Sequence, residues 1–397
     1  MTSSLALHGG KPVRTTLLPY GRQLISDEDI AEVTRVLKSD FLTTGPEVTA
    51  FEKAFAAHVG ASEAVAVNNG TAALHCSLYA LGIGPGDEVI IPVMTMAATA
   101  NAVLMQGATP VLTEIDPDTL LMDPEEVKKK INKKTKAILA VDYAGQPADY
   151  AALHIMCNEK NIPVIGDACH SLGATQHGRP VGTLADLTAF SFHPVKPITT
   201  GEGGMIVTEN KEWAARMRRF RHHNISIDPE ERKRRGNWFY AIEDLGYNYR
   251  LTDIQCALGR SQLQHVKERT IQRQEIAKRY DEVFIRMPGI RLLRTNGSNT
   301  HAHHLYVIRW TKEKFSVDRD TIYGALQAEG IGVNLHYIPI HLLSYHGKKL
   351  GLRRGNFPMV EQAYDEMLTL PLFSSMSDQD AEDVIEAVRK VHAHFTQ

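Results

Sequence analysis

Ala64-Val-Ala-Val-Asn-Asn-Gly-Thr-Ala-Ala-Leu-His-Cys-Ser-Leu-Tyr-Ala80 changes character at its middle. The first four residues are a short apolar run of the kind that fills a buried strand, Asn68-Asn-Gly70 is turn chemistry, and the remainder has helical length and spacing. The same unit recurs downstream. Strand-like runs follow at Glu88-Val-Ile-Ile91, Thr109-Pro-Val-Leu112, Ala137-Ile-Leu-Ala-Val141, Pro163-Val-Ile-Gly166, Leu187-Thr-Ala-Phe190 and Gly204-Met-Ile-Val-Thr208, several of them separated by helix-length segments. Alternation of this kind predicts an α/β fold: a mostly parallel sheet sandwiched by helices. Ligands of such sheets sit at the carboxyl ends of the strands, so chemistry is expected just after each run.

Outward from this block the pattern changes. Residues 252–283 lack proline and have no glycine after Gly259, which reads as one long helix leaving the first domain. A smaller α+β pattern follows, with strands expected at His304–Trp310 and Gly332–Tyr337 and helices at Asp318–Glu329 and Asp378–Phe395. The expected division is an N-terminal arm (1–19), a large domain (20–255) and a small C-terminal domain (256–397).

The chain has 397 residues, 43% of them apolar, and a net charge of −2, which gives no broad electrostatic reason to bind nucleic acid or an anionic membrane. The basic run Arg232-Lys-Arg-Arg235 follows Asp228, Glu230 and Glu231 and reads as a solvated loop. Cys76, Cys157, Cys169 and Cys256 form no paired spacing, which suits free thiols in a reducing compartment. With neither a secretory signal nor a bilayer-length apolar run in the sequence, a cytoplasmic protein is expected.

Three features after strands carry chemistry. Asn69-Gly-Thr-Ala72 opens a helix, and the free N–H groups of such a start bind an anion, although the same residues also make an ordinary turn and N-cap. Asp167 ends the run Pro163-Val-Ile-Gly-Asp167, where a carboxylate either caps the next helix or holds a protonated ring nitrogen, and His170 follows it. Lys196, in Ser191-Phe-His-Pro-Val-Lys-Pro-Ile-Thr-Thr-Gly-Glu-Gly-Gly204, can form a Schiff base if its amine loses its proton near neutral pH. Cradle, carboxylate and lysine in this order are consistent with pyridoxal phosphate. His301-Ala-His-His304 lacks a carboxylate or cysteine at ligand spacing, so no metal is expected. Gly82-Ile-Gly-Pro-Gly86 lacks dinucleotide-binding spacing and reads as a connecting turn.

From about Pro19 to the C-terminus the chain resembles the DegT/DnrJ/EryC1/StrS sugar aminotransferases, within fold type I of the pyridoxal phosphate enzymes. The runs Ser191–Gly204 and Gly246-Tyr-Asn-Tyr-Arg-Leu-Thr-Asp-Ile-Gln-Cys-Ala-Leu-Gly259 carry the resemblance, with Asn69-Gly-Thr-Ala-Ala73 and Asp167-Ala-Cys-His170 matching too. It implies that Lys196 bonds to the cofactor and shuttles protons, that Asp167 pairs with the pyridine nitrogen, and that His170 lies at the ring edge. Gly70, Thr71, Ala72 and Ser191 would hold the phosphate. Asn248 would reach the cofactor of a neighbouring subunit, making the active unit a homodimer, and Arg250, His336 and Tyr337 would lie on the substrate side. Met96 stands where the family often has an aromatic residue stacking on the ring; a thioether can pack there. Asn224 replaces a common glycine in Arg221-His-His-Asn224, and asparagine tolerates a left-handed turn.

The implied reaction is ping-pong transfer of an amino group from L-glutamate to a keto sugar, with the cofactor passing through pyridoxamine phosphate. Val141-Asp-Tyr-Ala-Gly145, Lys196-Pro-Ile-Thr-Thr200, Ser261-Gln-Leu263 and His336-Tyr-Ile-Pro339 are similar to the 4-aminotransferases of pseudaminic acid synthesis, whose substrate is a UDP-linked 4-keto-6-deoxy-N-acetyl sugar. Leu5-Ala-Leu-His-Gly-Gly-Lys-Pro-Val-Arg14 instead resembles the cyclitol branch, which implies a scyllo-inosose-type substrate or an arm that lies on a dimer partner. A non-catalytic regulatory relative is a further alternative. Dehydratases of the family carry histidine at the lysine position, and Lys196 argues against that class.

Overall fold

The computed structural model describes residues 4–397. The seven expected strands form and share one sheet: β1 (Glu63–Val67), β2 (Glu88–Pro92), β3 (Thr109–Thr113), β4 (Thr135–Val141), β5 (Val164–Asp167), β6 (Leu187–Ser191) and β7 (Gly204–Thr208). Their order across the sheet is β1-β7-β6-β5-β4-β2-β3. All neighbours from β6 to β3 run parallel, whereas β7 is antiparallel to both β1 and β6. Gly204 stands opposite Val67 on one side and Ser191 on the other. A Cβ at Gly204 would lie 2.5 Å from the carbonyl oxygen of Asn69, so only glycine allows this approach.

Side-chain alternation divides the core between the two faces of the sheet. Val65, Val67, Leu139 and Val141 point to one face, under the helices Gly70–Ala80, Ala97–Met105 and Lys211–Phe220. Ala64, Ala66, Ile138 and Ala140 point to the other, under Pro46–Val59, Tyr150–Asn158 and Asp253–Leu263. Phe55 packs 5.0 Å from Phe190 and 5.5 Å from Phe192 between ring centroids. Burying a ring of this size stabilises by about 1.5–3 kcal/mol, and here it fixes the strand that leads to Lys196. A third core joins an antiparallel sheet of β8 (Ile290–Leu292), β9 (Tyr306–Trp310) and β10 (Met367–Leu370) to the helices Arg319–Ala328 and Asp378–Phe395.

Four expectations are revised. The single helix expected over 252–283 is two, Asp253–Leu263 and Val266–Phe284, turning at Gln264 and His265. The first is held to the sheet domain through Gln262, which bonds Asp29 and the carbonyl of Leu24, so tertiary contacts end it without proline or glycine. Gly332–Tyr337 is no strand: only Asn334 pairs with an edge residue, Thr369, after which Leu335 N bonds the Asn334 side chain and Tyr337 N turns to Met94 Sδ. The basic run is a short helix, Pro229–Arg235, capped by Asp228, in which Glu231 pairs with Arg234 and Arg235. The N-terminal extension lies on its own chain. Leu5 is buried in the third core, and the buried Glu329 carboxylate accepts the N–H groups of Ala6 (2.8 Å) and Val13 (3.0 Å) and the Lys390 ammonium (2.8 Å). A carboxylate removed from water needs such donors, and the arm supplies two of them.

Asn224 adopts φ 54°, the left-handed turn expected of it. Among the described residues no helix is long and apolar enough to cross a membrane.

Candidate active site

The carboxyl ends of the parallel strands converge on one cluster. After β1, Asn69 caps the helix Gly70–Ala80: its side chain accepts the N–H of Ala72 at 2.8 Å. Among the described residues the N–H groups of Gly70 and Thr71 have no acceptor, so they are the unengaged part of the turn, while Ala72 N–H is already engaged by Asn69. A Cβ at Gly70 would come within 3.0 Å of Ser191 Cβ and 3.2 Å of Cys169 Sγ. The turn therefore sits directly against the ends of β5 and β6.

After β5, the Asp167 carboxylate is buried and oriented from two sides. Oδ2 accepts the Thr99 hydroxyl at 3.0 Å, and Oδ1 accepts the N–H of Cys169 at 3.3 Å. Thr99 and Thr95, with hydroxyls 2.7 Å apart, come from the segment after β2. Met96 lies between them, exposed, at the N-cap of Ala97–Met105. Beside Asp167, the fully buried Asp142 accepts from Ser171 Oγ (2.5 Å), Tyr150 OH (2.7 Å) and Ala148 N (2.9 Å), which ties the end of β4 to the segment carrying His170. Burial pushes its carboxyl up to about 7.

After β6, Phe192 N bonds Gly203 O at 2.8 Å and Thr200 N bonds Phe192 O at 3.0 Å, closing a loop on which Lys196 rides. Lys196 is half-buried, and its Nζ lies 3.4 Å from His304 Nε2. Burial depresses its proton affinity; the nearby Cys169 and Asp167 oppose this, and the Arg273 cation adds to it. The surrounding imidazoles are neutral for the same reason: burial holds His170 and His304 well below the ordinary histidine value and His336 at about 4. His170 Nε2 bonds Tyr337 OH at 3.0 Å, while its Nδ1 is buried without a partner. His336 Nδ1 bonds Thr369 Oγ1 at 3.0 Å, and its carbonyl takes the Tyr143 hydroxyl.

The structure thus brings together Gly70, Thr71, Asp167, His170, Ser191, Lys196, His336 and Tyr337. It keeps two expected residues apart. Asn248 is exposed and pairs through its backbone with His222. Arg250 bonds His222 Nδ1 at 2.7 Å and lines a cleft of about 250 Å³ with Arg218 and Arg221 that shares no residue with the Lys196 cluster. Sequence reading missed Thr95, Thr99 and His304. The four-residue spacing of Thr95 and Thr99 at a helix start was a usable signal; His304 offered none, because it reads as the first residue of a strand.

A turn with unengaged N–H groups, an oriented carboxylate and a lysine of lowered proton affinity can hold a phosphorylated aromatic aldehyde and transfer protons beside it. Comparison with known proteins points the same way. Residues 23–389 match the DegT/DnrJ/EryC1/StrS aminotransferase family. The spore coat polysaccharide biosynthesis protein SpsC of Bacillus subtilis is 42% identical over 380 residues, covering 95% of this chain and 98% of its own. Spr1654 of Streptococcus pneumoniae, assigned as a sugar aminotransferase and solved in a PMP form, superposes with a TM-score of 0.90 at 32% identity, over 95% of this chain and 99% of its own. A PLP form of the same protein gives 0.88. Helicobacter pylori PseC, an aminotransferase involved in the biosynthesis of pseudoaminic acid, gives 0.89 at 30% identity, over 96% of this chain and all of its own.

Proposed function

This chain belongs to the DegT/DnrJ/EryC1/StrS aminotransferase family, and we propose that within it the enzyme moves the amino group of L-glutamate to the C4 keto group of a UDP-linked 4-keto-6-deoxy-N-acetyl sugar. It is a pyridoxal phosphate-dependent sugar aminotransferase. The residues fit that cofactor. Gly70 and Thr71 offer unengaged N–H groups, a glycine at 70 leaves room against Ser191, and the orphaned His170 Nδ1 needs a polar partner at the place where the ring edge would lie.

When bound, pyridoxal phosphate supplies an aldehyde that takes up the amino group and a ring that accepts electrons. The protein does the rest. Gly70, Thr71 and Ser191 would hold the phosphate, with Ala72 joining if Asn69 releases its N–H. The Asp167 carboxylate would pair with the pyridine nitrogen and favour its protonated form. Lys196 is the residue that would hold the cofactor through its Nζ, and the same amine would carry the proton to and from the α-carbon of L-glutamate and the corresponding carbon of the sugar, which implies ping-pong kinetics. His336 and Tyr337 would border the substrate side, and the exposed Met96 would pack over the ring.

The active unit is a homodimer in this reading, with residues 20–255 as the cofactor-binding domain and 256–397 as the smaller one. Asn248 and Arg250 serve the neighbouring subunit's site. The exposed Trp238, Ile242 and Leu245, 74%, 60% and 69% accessible, lie in the segment leading to Asn248 and supply apolar surface for that contact. Four unpaired cysteines suit a reducing, cytoplasmic setting.

The observation that carries the assignment is Lys196, half-buried with lowered proton affinity beside Asp167 and the Gly70 turn. The sugar is tested by a half-reaction screen. The pyridoxamine phosphate form is offered UDP-, GDP- and dTDP-linked keto sugars and scyllo-inosose, and return of the lysine-linked absorbance is followed. Return with the UDP sugar is expected. Return with scyllo-inosose alone would select the cyclitol branch, which the Leu5–Arg14 resemblance favours. No lysine-linked absorbance in the wild-type protein would select the non-catalytic reading.

A further inference from the structure

His304 has no role in the reaction described above, yet its Nε2 is the hydrogen-bonding atom beside Lys196 Nζ, at 3.4 Å. The ring is 5% exposed and its Nδ1 has no partner. It is held from three directions. Its ring lies against His170 at a centroid distance of 4.5 Å. Leu305 N bonds Ala144 O at 3.1 Å, which ties the segment to the end of β4. Beneath it, Arg273 Nη1 donates to the carbonyls of His303 (3.3 Å), His304 (3.5 Å) and Leu372 (3.2 Å). Arg273 is buried without a carboxylate partner, and its Nε is unsatisfied. An uncompensated buried cation is costly, and what it secures is the backbone that aims His304.

A lysine amine ends a flexible four-carbon stem. Neutral, it carries two N–H groups and one lone pair, so a fixed acceptor for one N–H sets the direction of the lone pair. The titratable and charged groups facing Lys196 are Asp167, Cys169, His170, Arg273, His304 and His336. Among the described residues only His304 is within hydrogen-bonding distance of Nζ. We propose that His304 is a positioning residue for Lys196: its Nε2 accepts one N–H of the amine and turns the lone pair toward the aldehyde carbon of the cofactor. The Lys196 amine then forms the bond to that carbon, and its two protons leave with the aldehyde oxygen as water. The inference rests on the reading of Lys196 as the residue that bonds pyridoxal phosphate.

The test uses full-length apoenzyme of the wild type, His304→Leu and His304→Gln. Pyridoxal phosphate is mixed in by stopped flow, and the rise of the lysine-linked absorbance is timed. Pyridoxamine phosphate, which has no aldehyde and cannot bond to Lys196, is titrated separately. In both variants its affinity is expected to stay within about twofold of wild type. The rate of bond formation is expected to fall about tenfold in His304→Leu, the equivalent of one hydrogen bond, and to recover in His304→Gln, whose amide oxygen accepts the same N–H. An unchanged rate in His304→Leu overturns the proposal. So does an equal loss of rate and of pyridoxamine phosphate affinity, which marks a packing role. Wild-type protein that binds pyridoxamine phosphate but never forms a lysine-linked band overturns the reading of Lys196 instead.

Discussion

The Thr99 hydroxyl donates to Oδ2 of Asp167 at 3.0 Å, so the segment after β2 orients the carboxylate at the end of β5. Thr99→Val keeps the shape of a fully buried side chain and removes that donor. Turnover is expected to fall by about three- to tenfold, the worth of one hydrogen bond, whereas Asp167→Asn, which removes the charge that favours a protonated ring nitrogen, should cost at least about a hundredfold. Comparing kcat/KM of the two variants checks the order; an Asp167→Asn enzyme as active as wild type would remove Asp167 from the reaction.

Lys196→Ala should abolish the lysine-linked absorbance and lower turnover by about a thousandfold or more, because both the covalent bond and the proton carrier are lost. Lys196→Arg keeps the charge and should fail equally, since arginine does not deprotonate. Absorbance spectra and glutamate-to-2-oxoglutarate assays read the two outcomes.

A methyl group at residue 70 would press on Ser191 and Cys169, and the turn beside the free N–H groups would have to shift. Gly70→Ala is expected to weaken pyridoxamine phosphate binding by about tenfold, a cost of about 1.4 kcal/mol, with little change in folding stability. Equilibrium dialysis measures the first and denaturant titration the second.

Burial and Arg273 lower the proton affinity of Lys196 from its ordinary 10.5, while Cys169 and Asp167 act in the opposite sense. A lowered value means that the neutral amine appears at lower pH. The rate of bond formation with pyridoxal phosphate should therefore rise with pH through a midpoint below 10.5. Arg273→Met removes a cation that disfavours the ammonium, so the midpoint should move up. A midpoint that stays in place would mean that Arg273 acts through geometry alone.

Glu329→Ala leaves Lys390 and the N–H groups of Ala6 and Val13 without their shared acceptor. Breaking a buried pair by removing one partner costs about 3–5 kcal/mol, so the denaturation midpoint should fall. Trypsin should then cut after Arg14 faster than in the wild type, which limited proteolysis with mass spectrometry would detect.

Much of this site was legible because its residues follow strands whose apolar runs announce themselves. Asp167 and Lys196 end or follow buried runs, where a charged residue has no packing reason to be, and the Asn69-Gly-Thr turn has its own chemistry. His304 was illegible for the opposite reason. It is 108 residues from Lys196 in sequence, and nothing in His301–His304 shows that Arg273 will turn one of those rings toward the lysine. The same limit explains the helix break at Gln264 and His265, where Gln262 is engaged by Asp29, and the missing strand at Gly332–Tyr337, which leaves its edge after one pair with Thr369. In each case a distant contact outweighs a local preference.

Gly204, opposite Val67 on one flank and Ser191 on the other, acts as a ruler. The spacing between the turn that starts at Asn69 and the loop that carries Lys196 is counted in main-chain hydrogen bonds, with the packing of Phe190 and Phe192 holding the strand in place. On the reading proposed above, a change of sugar specificity would fall on His336, Tyr337 and Met96, while the approach of turn and lysine loop stays with the backbone ladder.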